Sequence, residues 1–526
     1  MLRSILKAST KWAPFIIFGL AFFIRVYRLD LVPLNHDEAN WIIPCVDNFD
    51  RFLGFPVSGF GGNIRPFLSW FVVFSKLFFS SPIYVVRVPA AIIGTATVIL
   101  LYQLAKEMYG RKCGLICATL LSFLPWHVIQ SRDGREMVTT PFFGCLIAWV
   151  FLRALNRESR VWFIFFWFVL GVGSFYTYAP SVLFVPIFIV VLFFLRKDLQ
   201  WVKPKIFLLG LLVFFFTVYP LIYLQLMGRI PQVLSKFYWY YYKDGPMVID
   251  NLGVFLGKAF ENCKNNNQIA IESLFFSSSG RLFHGATLKS ALLINKISLF
   301  IILLSLVRSF WRRDKLDRLL LIWLIIGYFG GVSGVRFFSL RHIFIILIPL
   351  LILLSRFIAG IFDYAKNKRF LLRLPVVAIG VSIIFMLVSM EIGQLARYYY
   401  TAPIDFEECR RDIYGCKEAA LYLKDIPGIE NSNVRPDAWM TLCFYLKYFS
   451  KNKISCYNQK ADQTYYVIWA PESHPLDYWN GSFRQSYNFF KQRYPSEKSI
   501  KTIYYPNGLP AIYIFRVKDE TKKAIF

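Results

Sequence analysis

The chain has 526 residues, of which 56% are hydrophobic, 19% aromatic and only 17% charged, with 54 Phe. A soluble globular chain is about 45–50% apolar and about 25% charged, so this composition points to a membrane protein and excludes disordered, collagenous and small disulfide-rich classes. The net charge of +28 would suggest nucleic acid in a soluble protein, but Lys and Arg gathered in the cytoplasmic loops of a membrane protein explain the same excess.

Apolar runs near the ~20 residues that cross a bilayer recur along the first three quarters of the chain. Eleven spans are expected, at about 12–28, 82–104, 113–130, 137–155, 161–179, 181–195, 206–226, 291–308, 318–335, 341–361 and 373–393. The fifth and sixth meet at Tyr178-Ala179-Pro180-Ser181, which reads as a tight hairpin or as a break in one long helix. The first segment has no small-residue cleavage site and runs into Arg25-Val26-Tyr27-Arg28, so it reads as a span and not as a signal peptide.

Basic residues set the orientation. One set of short loops holds 23 Lys and Arg, from Arg3, Lys7 and Lys11 to Lys366, Lys368, Arg369 and Arg373. The opposite short loops hold four: Arg132, Arg135, Arg336 and Arg341. The excess of Lys and Arg marks the cytoplasmic side. The expected location is the inner or plasma membrane, with a cytoplasmic N-terminus and an outer C-terminus. A nucleic-acid partner is not expected.

The expected fold class is a polytopic α-helical membrane protein with about eleven transmembrane helices and a C-terminal extracytoplasmic α/β domain. Residues 1–395 form the transmembrane part, with outer loops 29–81 and 227–290; residues 396–526 form the soluble domain. In the first loop, Arg65 to Lys76 reads as an amphipathic piece lying in the interface. In the tail, Glu407–Leu423 reads as a helix, and Gln463–Trp469, Lys501–Tyr505 and Ala511–Val517 as strands. Its Cys409, Cys416, Cys443 and Cys456 allow three disulfide connectivities in an oxidising compartment, or remain as thiols. No CxxC pair supports a zinc ribbon or a thioredoxin-like site.

Three outer junctions carry chemistry. The adjacent carboxylates Asp37 and Glu38 follow the first span in Leu29-Asp30-Leu31-Val32-Pro33-Leu34-Asn35-His36-Asp37-Glu38. A solvated turn or an acidic first helical turn is the plain alternative. Arg132-Asp133-Gly134-Arg135-Glu136 crowds two guanidinium groups and two acids between the third and fourth spans. Interfacial ion pairing competes there with an anion site, since Arg forks match phosphate oxygens. Arg336 and Arg341 stand in another short outer loop, and Arg87 near the top of the second span. Arginines near the apolar core need partners, and a lipid-linked phosphate is a natural one. Outward carboxylates with outward guanidinium groups suit sugar transfer from a polyprenyl phosphate. A carboxylate takes the acceptor's proton, and positive charge neutralises the departing phosphate.

The motif Arg25-x-x-Arg28-Leu29…Pro33-Leu34-x-x-Asp37-Glu38-Ala39 resembles the first-loop motif of polyprenyl-phosphate-sugar-dependent glycosyltransferases of the GT-C superfamily. The nearest branch is that of the protein O-mannosyltransferases and the aminoarabinose transferase of lipid A. Arg87 to Gly94, Ser131 to Phe143 and Leu170 to Tyr178 are similar in the same order, and the resemblance covers about residues 12–395. It implies an inverting transfer on the extracytoplasmic side, with Asp37 as catalytic carboxylate and Glu38 orienting base or acceptor. It places Arg135, and less directly Arg87, Arg132, Arg336 and Arg341, on the donor phosphate. Asp133 or Glu136 is the candidate second acid. Relatives differ in metal use, so no cofactor is required and a divalent metal stays open. The expected partners are a polyprenyl-phosphate-linked sugar, an acceptor hydroxyl on lipid, glycan or protein, and membrane lipids. The alternatives are a lipid-linked glycan flippase without chemistry and an oligosaccharyltransferase, whose Trp-Trp-Asp signature the tail lacks.

Overall fold

The first helix, α1 (Leu2–Val26), carries an apolar run from Trp12 and is followed by Arg28, whose φ of 50° takes the backbone out of the helical region. The structure is a computed structural model. It describes residues 2–31, 34, 38, 66–226, 252–275, 296–312, 314–333, 340–366, 368–401, 415–436, 442–443, 446, 454, 456, 463–471, 482–504 and 508–518. The helices that follow are α2 (Pro66–Ser75), α3 (Pro82–Tyr109), α4 (Arg111–Phe123), α5 (Pro125–Arg132), α6 (Thr139–Arg157), α7 (Arg160–Phe175) and α8 (Phe184–Phe194). Next come α9 (Pro204–Leu226), α10 (Leu252–Phe275), α11 (Lys296–Arg312), α12 (Lys315–Ser333), α13 (Leu347–Lys366) and α14 (Phe370–Ala396).

A helix lies on each of the eleven expected segments, but length divides them. Among the described residues six helices are long and apolar enough to cross a membrane, or seven if the bent pair α4–α5 is one span. α7 has 16 residues and α8 has 11, short of the ~20 that span a bilayer. Between them the chain turns through a short 3-10 stretch, Ala179–Leu183, opened by Pro180. α13 is buried on all sides from Leu347 to Ser355 and forms the centre of the bundle. α9 and α14 instead present large exposed apolar side chains such as Phe216 and Phe385, which suit lipid. α2 occupies the place of the expected interfacial piece. Its Leu68 and Val72, one turn apart, bury against Val86, Ala90 and Ile93 of α3.

The tail contains a four-stranded sheet in the order β1-β2-β4-β3, from β1 (Asn433–Pro436), β2 (Gln463–Trp469), β3 (Ser499–Tyr504) and β4 (Pro510–Lys518). β1 pairs parallel with β2; β4 pairs antiparallel with β2 and β3. The three expected strands are present. Alternation along β2 sends Tyr465, Val467 and Trp469 into the cluster of α15 (Cys416–Lys424). Tyr466 and Ile468 enter a second cluster with Phe490 of α16 (Ser482–Arg493). Cys443 and Cys456 form a disulfide and Cys416 is a buried thiol, while Cys409 lies outside the described residues. The α15 cluster also contains Leu34 of the first loop and Ile83 at the start of α3, so the tail packs onto the membrane part.

Candidate active site

One end of the bundle is organised by a broken helix. Pro125 has no N–H for the carbonyl of Leu121, so α4 ends and α5 leaves at 60°. Arg25 reaches over from α1 and donates to the freed carbonyls of Leu121 at 3.2 Å and Ser122 at 3.4 Å. Its other contacts are the carbonyl of Ala21 at 2.8 Å and Nδ1 of His127 at 2.7 Å. Because a guanidinium only donates, Nδ1 accepts and His127 is neutral with its proton on Nε2. A buried cation with no carboxylate thus staples the break that sets the direction of α5.

α5 delivers Arg132-Asp133-Gly134-Arg135. Arg132 turns back to the end of α1, donating to the carbonyls of Arg25 at 3.0 Å and Arg28 at 2.6 Å. The last carbonyls of a helix lack partners within it, and this side chain supplies one. Its guanidinium lies 4.7 Å over the ring of Tyr399 and 5.6 Å over Tyr398, at the end of α14.

Glu38 is fully buried, an arrangement that only close pairing sustains. Both its oxygens accept from Arg87, each at 2.8 Å, and Oε1 accepts the backbone N–H of Gly134 at 2.8 Å. A third donor of Arg87 holds the carbonyl of Leu29 at 2.7 Å. Gly134 packs against Val86 of α3 so closely that a Cβ there would overlap that side chain. Glycine therefore lets the backbone N–H approach Glu38.

Asp133 pairs with Arg135, whose Nε donates at 2.6 Å. Burial nonetheless pushes the Asp133 carboxyl up to about 6; Arg135 opposes this and the Glu38 charge adds to it. Glu136 is buried and opens the 3-10 turn before α6, where the helix dipole favours an acid. Arg341 is half-buried in the 3-10 stretch Leu340–Ile346, and its Nε has no hydrogen-bond partner. That stretch packs on α6, and its Phe344 stacks 6.4 Å from the ring of His127. Asp37 and Arg336 lie outside the described residues.

The structure therefore joins Glu38, Arg87, Asp133, Gly134 and Arg135 at one end of the bundle. Arg87 and Arg132 are engaged by Glu38 and by the end of α1. Sequence reasoning passed over Gly134 and Tyr398 with Tyr399, and did not join Arg25 of the first motif to His127. The signal for the break is Pro125, which cannot continue a helical hydrogen-bond ladder. Among the described residues no three His, Cys, Asp or Glu side chains gather as a metal ligand set.

Residues 64–224 match the family described as dolichyl-phosphate-mannose-protein mannosyltransferase, under a third of the chain. "Putative mannosyltransferase YkcB" of Bacillus subtilis is 25% identical over 190 residues, 35% of this chain and 26% of that protein. "Putative mannosyltransferase YycA" of the same organism is 26% identical over 156 residues, 30% of this chain and 22% of the relative. The match thus spans about a quarter of each relative's length. Among solved structures, apo ArnT from Cupriavidus metallidurans superposes with a TM-score of 0.59 at 13% identity, covering 97% of this chain and 98% of that one. The archaeal oligosaccharyltransferase AglB from Archaeoglobus fulgidus, in complex with an inhibitory peptide and a dolichol-phosphate, gives 0.58 at 13% identity, covering 98% and 76%. ArnT bound to undecaprenyl phosphate gives 0.54 at 12% identity, covering 96% and 98%. Residues 64–224 thus carry a mannosyltransferase-family match, and the chain as a whole has the fold of ArnT and AglB.

Proposed function

We propose that this chain is an integral membrane glycosyltransferase that moves a sugar from a polyprenyl-phosphate donor to an acceptor hydroxyl outside the cytoplasm. The supporting observation is the buried Glu38–Arg87–Gly134 clamp beside Asp133–Arg135, with the Arg341 Nε unpartnered on a neighbouring element. The polyprenyl donor follows from the ligands named for ArnT and AglB. An extracytoplasmic tail suits the Cys443–Cys456 disulfide and the basic loops opposite.

In this reading the acceptor oxygen attacks the anomeric carbon and its proton passes to Asp37. The bond from that carbon to the phosphate oxygen breaks, the phosphate leaves with the electron pair, and the configuration inverts. Arg341, with Arg336, neutralises the leaving phosphate. Arg135 stands in reserve behind Asp133, whose raised carboxyl loosens that pair on protonation. Arg87 and Arg132 fix the scaffold and do not touch the donor. The acceptor is a hydroxyl on lipid, glycan or protein.

The test is release of polyprenyl phosphate from polyprenyl-phosphate mannose by the full chain in liposomes. Loss of a general base costs about 10²- to 10⁴-fold. Asp37→Asn should reach that range with unchanged thermal unfolding. Full release by Asp37→Asn removes the base assignment. Movement of donor across the bilayer without release supports the flippase alternative. The ArnT and AglB superpositions score almost alike, so a parallel assay with lipid-linked oligosaccharide decides between single-sugar and whole-glycan transfer.

A further inference from the structure

Arg341 stands in the 3-10 stretch Leu340–Ile346, and α12 mounts that stretch. Three-ten geometry makes poorer hydrogen bonds than an α-helix, so a stretch of this kind depends on its neighbours. α12 turns Trp323, Gly327 and Gly331 toward it, each one helical turn after the last. Trp323 is fully buried, and its indole N–H donates to the carbonyl of Ile345 at 2.9 Å. The ring is itself locked. Phe184 of α8 meets it edge-on at 5.9 Å, and Gly144 of α6 lies so close that a Cβ there would fall 2.8 Å from it.

Two adjacent glycines in the last turn of α12 face different neighbours. A Cβ at Gly331 would fall 2.6 Å from the carbonyl oxygen of His342, the residue after Arg341. Backbone at that distance cannot swing aside, so the stretch itself would have to move. A Cβ at Gly330 would instead meet the Leu183 side chain, also at 2.6 Å, and a leucine side chain can change rotamer. The last turn is held in turn by α10. Asn266 donates to the carbonyl of Val332 at 3.0 Å and Asn262 to that of Ser333 at 3.3 Å, carbonyls that a helix end leaves without partners of its own. Asn262 and Asn266 stand one turn apart, which gives part of the polar run Asn262-Cys263-Lys264-Asn265-Asn266-Asn267 a task.

We propose that Gly331 is a positioning residue for donor binding: by meeting the His342 carbonyl without a side chain, it sets the backbone from which Arg341 engages the phosphate of a polyprenyl lipid. This rests on the reading of Arg341 above. Gly331 touches no substrate in this account and acts through the backbone beside it. Trp323 serves the same stretch from its other end, through Ile345. Glycine costs a helix about 1 kcal/mol relative to alanine, and the close approach to His342 is what that cost secures.

The test is binding of undecaprenyl phosphate to the full chain in detergent micelles, with undecaprenol as the uncharged control. Affinity is read from the rise in unfolding temperature as lipid is added, so no turnover is needed. Arg341→Ala should weaken phosphate binding about tenfold, as loss of a charge-assisted contact does, and leave undecaprenol within twofold. Gly331→Ala should weaken it in the same selective way, while Gly330→Ala stays within twofold for both lipids. Adding Gly331→Ala to Arg341→Ala should cost nothing further, since one residue acts through the other. Trp323→Phe, which keeps a ring and removes the N–H, should repeat the selective loss and carries the test if Gly331→Ala does not fold. Unchanged phosphate binding in Gly331→Ala overturns the proposal. So does an equal loss for both lipids, or a double variant in which the two losses add, since either marks a purely structural role. If Arg341→Ala binds undecaprenyl phosphate like wild type, the reading of Arg341 fails and this inference with it. A loss in Arg341→Ala without one in Gly331→Ala defeats this inference alone.

Discussion

The two ends of α3 carry contrasting clusters of buried charge. Arg87 and Tyr109 stand 22 residues apart on this helix, roughly 33 Å at 1.5 Å per residue. At the Tyr109 end, Asp317 is fully buried in the first turn of α12, where the helix dipole favours it. It pairs with Arg356 of α13 and accepts the Tyr109 hydroxyl at 2.8 Å, and Arg356 lies 4.2 Å over the Tyr109 ring. One acid and one base tie three helices together. At the Arg87 end, Arg87 meets Glu38 and Arg135 meets Asp133, while Arg25 and Arg132 hold backbone carbonyls. There the partners are a loop, helix-end carbonyls and each other. Burial of charge alone does not mark a site. What sets the Arg87 end apart is that its cations also hold irregular backbone.

The largest expected effects put that comparison at risk directly. Arg87→Ala strands the buried Glu38, and Arg356→Ala strands the buried Asp317. Removing one partner of a buried ion pair costs about 3–5 kcal/mol, so both variants should lose comparable stability in thermal unfolding. Only Arg87→Ala should also abolish sugar transfer in the fraction that remains folded, because only it releases the first loop. Equal loss of specific activity per folded molecule in the two variants would erase the distinction between the ends.

Arg341→Ala sharpens the same contrast. Its Nε contributes no hydrogen bond to the fold, so the variant loses side-chain packing alone and should cost less stability than either charge-pair variant. Turnover of polyprenyl-phosphate mannose should fall at least tenfold, with Arg341→Lys recovering part of it, since an ammonium keeps the charge but not the fork. A variant with normal turnover would take Arg341 off the donor phosphate.

Much of the scaffold was legible because its signals are local. Eleven apolar runs carry helices, and the β-branched and aromatic run Gln463–Trp469 is a strand from end to end. Pro125 breaks its helix for a backbone reason that needs no tertiary contact. The partners were not legible. Arg87 and Glu38 are 49 residues apart, and nothing in either motif specifies the other. Arg132 read as an anion ligand because unpaired carbonyls at a helix end leave no trace in composition. α16 was missed because Ser482-Phe483-Arg484-Gln485-Ser486-Tyr487 lacks a wide apolar stripe, and β1 because four residues carry too little pattern. The loop and tail also read as separate pieces, since Leu34 meets its cluster only once the chain has folded back.

The smallest expected effect concerns Asp133, and it separates two forces that act on one carboxyl. Burial raises its pKa to about 6 from an ordinary 3.8, while the Arg135 guanidinium works to lower it. With the folded value above the unfolded one, the folded state holds the proton more tightly. The resulting stability is fully present below about pH 3.8 and is lost as pH rises toward 6. Asp133→Asn has no such titration. The melting temperature of wild type relative to Asp133→Asn should therefore fall between pH 4.5 and 7 by about a few degrees, given that ~1 kcal/mol moves a chain of 150–250 residues by about 2–4 °C and a longer chain by less. If the Arg135 pair dominated instead, the folded value would lie below 3.8 and the relative melting temperature would rise with pH. The sign of that slope alone tells whether Arg135 is held firmly by Asp133 or is available to a phosphate.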